Sequence, residues 1–238
     1  MSTPSDMDER TAMTNLTTAL KQINKAIHVI RLVGVFPEFA PNRVPEALGP
    51  GSLPYEHPIA KRILDESGLP VTYLNCGASF IDNLWLQIKS VLAKKTLIWP
   101  EHRVPFMDPV DIAEVAGRLL LSDNAKHIGA FHNMNNGQDW LQFREIAGIL
   151  SDVLGELIAY DGSYAAYSDF YGPIMGPKTD ALWAFFKFEE AKEEYWALNN
   201  FVERTLRRKP TSYREWVVKH KDELLQGKKS SPNLEQHS

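Results

Sequence analysis

Residues 55–83, YEHPIAKRILDESGLPVTYLNCGASFIDN, constrain the fold more tightly than any other stretch. They read as a helix carrying His57 and Lys61, a Gly68-Leu69-Pro70 turn, and a buried strand at residues 71–75. A loop, Cys76-Gly77-Ala78-Ser79, then leads into a helix opening at Phe80. Strand, loop and helix in that order build open α/β sheets, which hold ligands beyond the carboxyl ends of their strands. Asn75, Cys76, Gly77 and Phe80 are therefore the first candidates for a substrate site. Cys76 reads as a small lining residue rather than a nucleophile, since no motif supplies a neighbouring base. Gly77 would let the backbone pass close to a bound molecule.

The flanking sequence extends this pattern. Residues 9–24 place Met13, Leu16, Leu20 and Ile23 at helical spacing. Residues 26–35 are rich in β-branched side chains and predict a strand covered on both faces, as in a parallel sheet. Residues 36–54 hold five of the 15 prolines and read as a long binding loop or lid. Further helices are predicted at 80–94, 108–121, 142–154, 179–206 and 212–225, with short strands at 96–99, 103–107, 130–133 and 157–160. Asp108-Pro109 is a helix start, Gly155 a helix stop, and Ser212-x-x-Glu215 a capping box. Residues 163–177 are aromatic and broken by Gly172, Pro173, Gly176 and Pro177. The expected division is a disordered start (1–8), a sheet-bearing part (9–135), an α-rich lobe interleaved with it (136–226) and a disordered tail (227–238).

Charge and composition exclude several classes. A net charge of −4 gives no electrostatic reason to expect a nucleic-acid partner. No apolar run reaches the ~20 residues of a membrane span. The polar N-terminus has no signal-peptide pattern, and a lone cysteine fits a reducing compartment, so the cytoplasm is expected. His102, His127 and His132 lack metal-ligand spacing, and no metal is predicted.

Six stretches in order carry a resemblance. Residues 15–33, His57-x-x-x-Lys61 with Ser67-Gly68-Leu69-Pro70, Gly77-x-x-Phe80-x-Asp82-Asn83, Asp111-Ile112-Ala113, Phe143-x-Glu145-Ile146-Ala147 and residues 209–216 (KPTSYREW) are together similar to the NmrA-like proteins. That family is a branch of the atypical short-chain dehydrogenase/reductases, and the closing segment resembles its clavine-dehydrogenase-like oxidoreductases. The similarity covers roughly residues 10–225 and implies a Rossmann-like parallel sheet with a smaller α-rich substrate lobe. The glycine-rich turn that would cradle a dinucleotide is absent from the sequence, and Asn75-Cys76-Gly77 stands where the family has Arg-Pro-Gly. The expectation is a truncated Rossmann-like fold lacking about three βα units, on the order of 90 residues. No cofactor is predicted, with NADP expected only if the missing half is supplied elsewhere.

The resemblance also ranks the chemistry. Lys61 falls where some relatives keep a proton donor, and His57 lies one helical turn away on the same face. Tyr164, Tyr167 and Phe170 fall where the family covers its substrate. The expected function is a small-molecule enzyme of natural-product type, isomerase-, cyclase- or dehydratase-like, acting on a hydrophobic substrate without bound nucleotide. The alternatives are an NAD(P)H-dependent oxidoreductase needing a partner chain and a non-catalytic NmrA-like regulator. An apolar sheet edge left by the missing strands predicts a homodimer or a covering partner chain.

Overall fold

In the computed structural model, which describes residues 8–23, 27–34, 57–76, 79–122, 125–191 and 197–228, the apolar run of the central stretch forms β2 (Val71–Cys76). It lies between two parallel strands, β1 (Val29–Val33) and β6 (Phe131–Met134), in the order β1-β2-β6. Val29 pairs with Val71 and Phe131 with Tyr73. Alternation along β2 sends its side chains to two cores. Val71 and Tyr73 pack with Met13 of α1 (Glu9–Gln22) and with Ala60 and Leu64 of α2 (His57–Glu66). Leu74 packs on the other face with Ile112, Val115 and Leu119 of α4 (Pro109–Leu120) and Val202 and Leu206 of α8 (Phe201–Leu206).

A third core gathers the remaining elements. β4 (Thr96–Ile98) pairs in parallel with β8 (Ala159–Asp161). β5 (Arg103–Met107) lies between parallel β3 (Ser79–Phe80) and antiparallel β7 (Trp140–Gln142). Helices α3 (Leu84–Lys94), α5 (Phe143–Leu154), α6 (Tyr164–Met175), α7 (Lys178–Glu190), α9 (Tyr213–Lys219) and α10 (Lys221–Gln226) supply the rest of the lobe. Ile88, Leu97, Phe106, Phe143, Leu150, Tyr167 and Trp216 are buried together there.

Local signals set most boundaries. Asp108 caps α4 by accepting the Val110 N–H at 2.9 Å, with Pro109 in the first turn. Gln142 with Glu145 and Ser212 with Glu215 close reciprocal capping boxes on α5 and α9. Gly68 has φ +74°, a conformation that suits glycine, and turns the chain from α2 into β2.

Several expectations change. The strand predicted at 26–35 is covered on both faces only in part: Leu32 is 37% exposed, because β1 is an outer strand. The helix predicted from Phe80 begins at Leu84, after β3 and a 3₁₀ turn at Ile81–Asn83, since Ser79 and Phe80 pair with Phe106 and Met107. Residues 163–177 are mostly helix, because burial of Tyr167 and Tyr171 outweighs Gly172 and Pro173. The helices predicted at 179–206 and 212–225 are each two elements. Gly77, the proline-rich loop 36–54 and most of both terminal segments lie outside the described residues. No described helix is long and apolar enough to cross a membrane.

Candidate functional site

The carboxyl ends of β1, β2 and β6 lie side by side, as parallel pairing requires. Asn75 is fully buried there, and its Nδ2 donates to Asn133 Oδ1 at 2.7 Å. Cys76 is half-buried and packs with Phe80 against the cluster containing Leu74 and Met107. Beyond β6, Asn135 Oδ1 accepts the N–H groups of Gly137 (3.0 Å) and Asn199 (3.1 Å), while its Nδ2 donates to Ala197 O. A Cβ on Gly137 would meet Asn199 O at 2.7 Å, so this approach needs glycine. The run Asn133-Met134-Asn135-Asn136-Gly137 was the signal for this amide cluster, which the sequence reading did not single out.

The two predicted catalytic residues share a helix but not a setting. Lys61 Nζ lies 2.7 Å from Asp65 and 4.6 Å above the Tyr73 ring, with its side chain 31% exposed. The Tyr73 hydroxyl donates to Asp65 Oδ1 at 2.7 Å, and burial together with that carboxylate holds the phenol well above its usual range. His57 is half-buried beside Gly34 and near the Arg31–Glu9 ion pair (2.7 Å). Burial, with the Arg31 guanidinium adding to it, lowers its pKa from the ordinary value.

Tyr164, Tyr167 and Phe170 lie on α6, away from Cys76 and Phe80, with Tyr167 and Phe170 in the third core. Tyr167 is fully buried against Trp99 (5.8 Å) and Tyr171 (5.1 Å), and its hydroxyl has no hydrogen-bond partner among the described residues. Phe170 lies under Lys94 at 5.5 Å. Tyr164 is exposed and donates to Asp180 Oδ1 at 2.7 Å.

The same core contains a titratable pair that spacing could not reveal. His102 is 3% exposed, and its Nδ1 lies 2.9 Å from Pro100 O. A carbonyl oxygen only accepts, so Nδ1 carries the proton and Nε2 presents a lone pair. That lone pair faces Glu189 Oε2 at 3.6 Å. The imidazole stacks on Phe186 (5.0 Å, 17°) and lies 4.7 Å from Phe143. Burial pushes His102 down to about 4, assisted by the positive charge of Lys187, and pushes Glu189 up to about 8. At neutral pH both are uncharged: one nitrogen free to take a proton, one carboxyl able to give one.

Pairing, helix placement and sheet order define a mixed α/β, Rossmann-like fold with parallel strands. Solved structures that resemble it include the following three. A nucleoside-diphosphate-sugar epimerase from Staphylococcus aureus has 21% identity and a TM-score of 0.66, over 87% of this chain and 69% of that one. An NADPH-dependent quinone oxidoreductase from Escherichia coli has 15% identity and a TM-score of 0.69, over 88% and 72%. The Citrobacter sp. triphenylmethane reductase complexed with NADP(H) has 18% identity and a TM-score of 0.69, over 92% and 74%. No protein-family model and no curated protein sequence matches the chain. Identities of this size establish the fold and leave the chemistry to the residues.

Proposed function

We propose that this chain is a small-molecule enzyme of NmrA-like ancestry, in natural-product-type metabolism, that moves protons on a small hydrophobic substrate without a bound nicotinamide. The observation that supports this reading most is the neutral His102–Glu189 pair among aromatic side chains. His102 Nε2 takes a proton from a carbon beside a carbonyl, and the Glu189 carboxyl protonates the carbonyl oxygen, giving an enol. Return of the His102 proton to a different carbon, with the enol proton going back to Glu189, completes an isomerisation that needs no oxidant or reductant. Substrate would approach from the Glu189 side, where 13% of the side chain is exposed against 2% of His102.

The fold group also raises NADP(H), with which the Escherichia coli quinone oxidoreductase and the Citrobacter sp. triphenylmethane reductase form complexes. The described helix starts beyond β3 and β5 do not suit a pyrophosphate. The helices that follow β3 and β5 open on carboxylates, Asp82 in one case and Asp108 with Asp111 in the other. A phosphate would meet negative charge there rather than bare N–H groups. Hydride transfer from NADPH is the second reading, favoured by those neighbours, and Lys61 and His57 are its proton carriers.

Two measurements decide between them. Incubation with apolar cyclic and unsaturated ketones in D₂O, without nucleotide, should give deuterium uptake or isomer, with His102→Gln and Glu189→Gln slower by about 100-fold or more. Wild-type rates in both variants would reject the pair. Micromolar NADPH affinity, with a reductase rate lost in Lys61→Ala, would replace this reading by the second.

A further inference from the structure

The amino end of the β1-β2-β6 sheet, opposite the strand ends described above, carries a feature that neither reading uses. A groove of about 790 Å³ is lined by Arg118 at the end of α4, Lys126 ahead of β6, and Arg204 and Arg207 on and after α8. Among the described residues no carboxylate lines it, in a chain whose net charge is −4. Arg118 is held in place: it takes Glu114 at 2.7 Å and donates to Thr205 O at 3.2 Å. Phe201 and His132 stack within the groove at 4.2 Å and 11°, and His132 Nε2 lies 3.2 Å from His127 Nδ1. The groove therefore combines four permanent cations with a flat, apolar wall.

We propose that this groove is a ligand site for a phosphorylated small molecule, with the phosphate among Arg118, Lys126, Arg204 and Arg207 and a flat ring against Phe201. Its size falls in the range of about 300–1,000 Å³ usual for small-molecule sites. Four cations are fewer than the roughly 6–10 phosphate contacts of a duplex-binding surface, so a nucleic acid is the poorer fit. Guanidinium groups suit this role because their planar fork matches phosphate oxygens. The site stands independently of the proposed proton chemistry, whose His102 and Glu189 lie among Phe143 and Phe186 of a different core.

The test uses the whole chain with inorganic pyrophosphate and ADP as probes, read by calorimetry at low salt and again in high salt. Both should bind saturably, ADP the tighter, and binding should weaken with salt. Arg204→Glu and Lys126→Glu should each cost roughly tenfold or more for both probes. Phe201→Leu should weaken ADP and spare pyrophosphate, with circular dichroism confirming the fold of each variant. Absence of saturable binding below about 1 mM overturns the site, as does wild-type affinity in both charge variants. Single-stranded oligonucleotides binding more tightly than ADP, and more so with length, would overturn the small-molecule assignment.

Discussion

Asp111 and Thr211, 100 positions apart in the chain, meet through one hydrogen bond: the Thr211 N–H donates to Asp111 Oδ2 at 2.7 Å. Arg208 donates to the other oxygen, Oδ1, at 2.6 Å. Asp111 is 1% exposed, so its charge is tolerable only because both oxygens are engaged. The segment leading into α9 is thereby tied to the first turn of α4.

Asp111→Ala would leave the Thr211 N–H without its acceptor and Arg208 without one of its two carboxylates, the other being Glu114. The expected loss is about 2–4 kcal/mol. At roughly 2–4 °C per kcal/mol for a chain of this size, the melting temperature should fall by about 4–15 °C. Asp111→Asn keeps an acceptor for Thr211 and should lose less. Equal melting of Asp111→Ala and wild type would show that the closing segment is held by something else.

The neutral His102–Glu189 pair makes stability depend on pH with a definite sign. Folded Glu189 holds its proton to about 8 whereas the unfolded chain releases it near 4.5, so stability falls as pH rises across that window. His102 acts in the opposite sense: the unfolded chain binds a proton below 6.5 and the folded one only below about 4, so stability rises with pH between those values. The two slopes offset from 4.5 to 6.5 and only the Glu189 slope remains from 6.5 to 8. Its size is at most about 2 kcal/mol. Thermal melts across that range should therefore decline in wild type and stay flat in Glu189→Gln. Parallel declines in both proteins would show that Glu189 is ionised in the fold.

These elements differ in how plainly the sequence announces them. The start of α4 is written in Asp108-Pro109, and the α5 stop in Gly155 at φ +79°. β2 is legible because six consecutive residues are buried or nearly so, which demands an apolar run. β3 and β7 are not, since two- and three-residue strands are created by the partner β5 and leave no period of their own. Of the candidate residues, Asn75, Cys76 and Phe80 could be singled out from a strand followed by a loop. His102 and Glu189 could not, because they sit on separate elements and only tertiary packing around Phe143 and Phe186 sets them 3.6 Å apart. The helix carrying Lys61 is legible in the sequence, but its Asp65 and Tyr73 partners depend on how α2 lies over β2.

Those partners lead to a prediction that separates structure from chemistry at Lys61. Tyr73→Phe removes the hydroxyl from Asp65, whose side chain is 48% exposed and can be rehydrated, so the cost should be about 1 kcal/mol. Lys61→Met removes a half-exposed ion pair and a cation–π contact and should cost less than about 1 kcal/mol. A double-mutant cycle read by urea midpoints should give a coupling of about 0.5 kcal/mol or more, since Lys61, Asp65 and Tyr73 touch. Additive effects would mean that the contact with Tyr73 contributes nothing. A Lys61→Met protein of unchanged stability that had lost turnover would return Lys61 to the catalytic role.

The basic groove should bind anions more tightly as pH falls. His127 and His132 both titrate below the ordinary 6.5, chiefly through burial, with Lys126 and His28 adding to the effect on His127 and His127 and Lys126 to that on His132. Arg118, Arg204 and Arg207 line the same groove, so every charged group facing the pair from α4, α8 and the turn before β6 is positive among the described lining residues. Both rings are therefore neutral near pH 7 and gain charge only in acid. A bound phosphate stabilises the protonated form and raises its pKa, so proton uptake accompanies binding and affinity increases below about pH 6.5. Pyrophosphate binding measured at pH 7.5 and 5.5 should strengthen severalfold on acidification, by more than the probe's own protonation in the same buffers predicts. His132→Asn should flatten that dependence while leaving affinity at pH 7.5 near wild type. A pH profile identical in the two proteins would show that the histidine pair takes no part in anion binding.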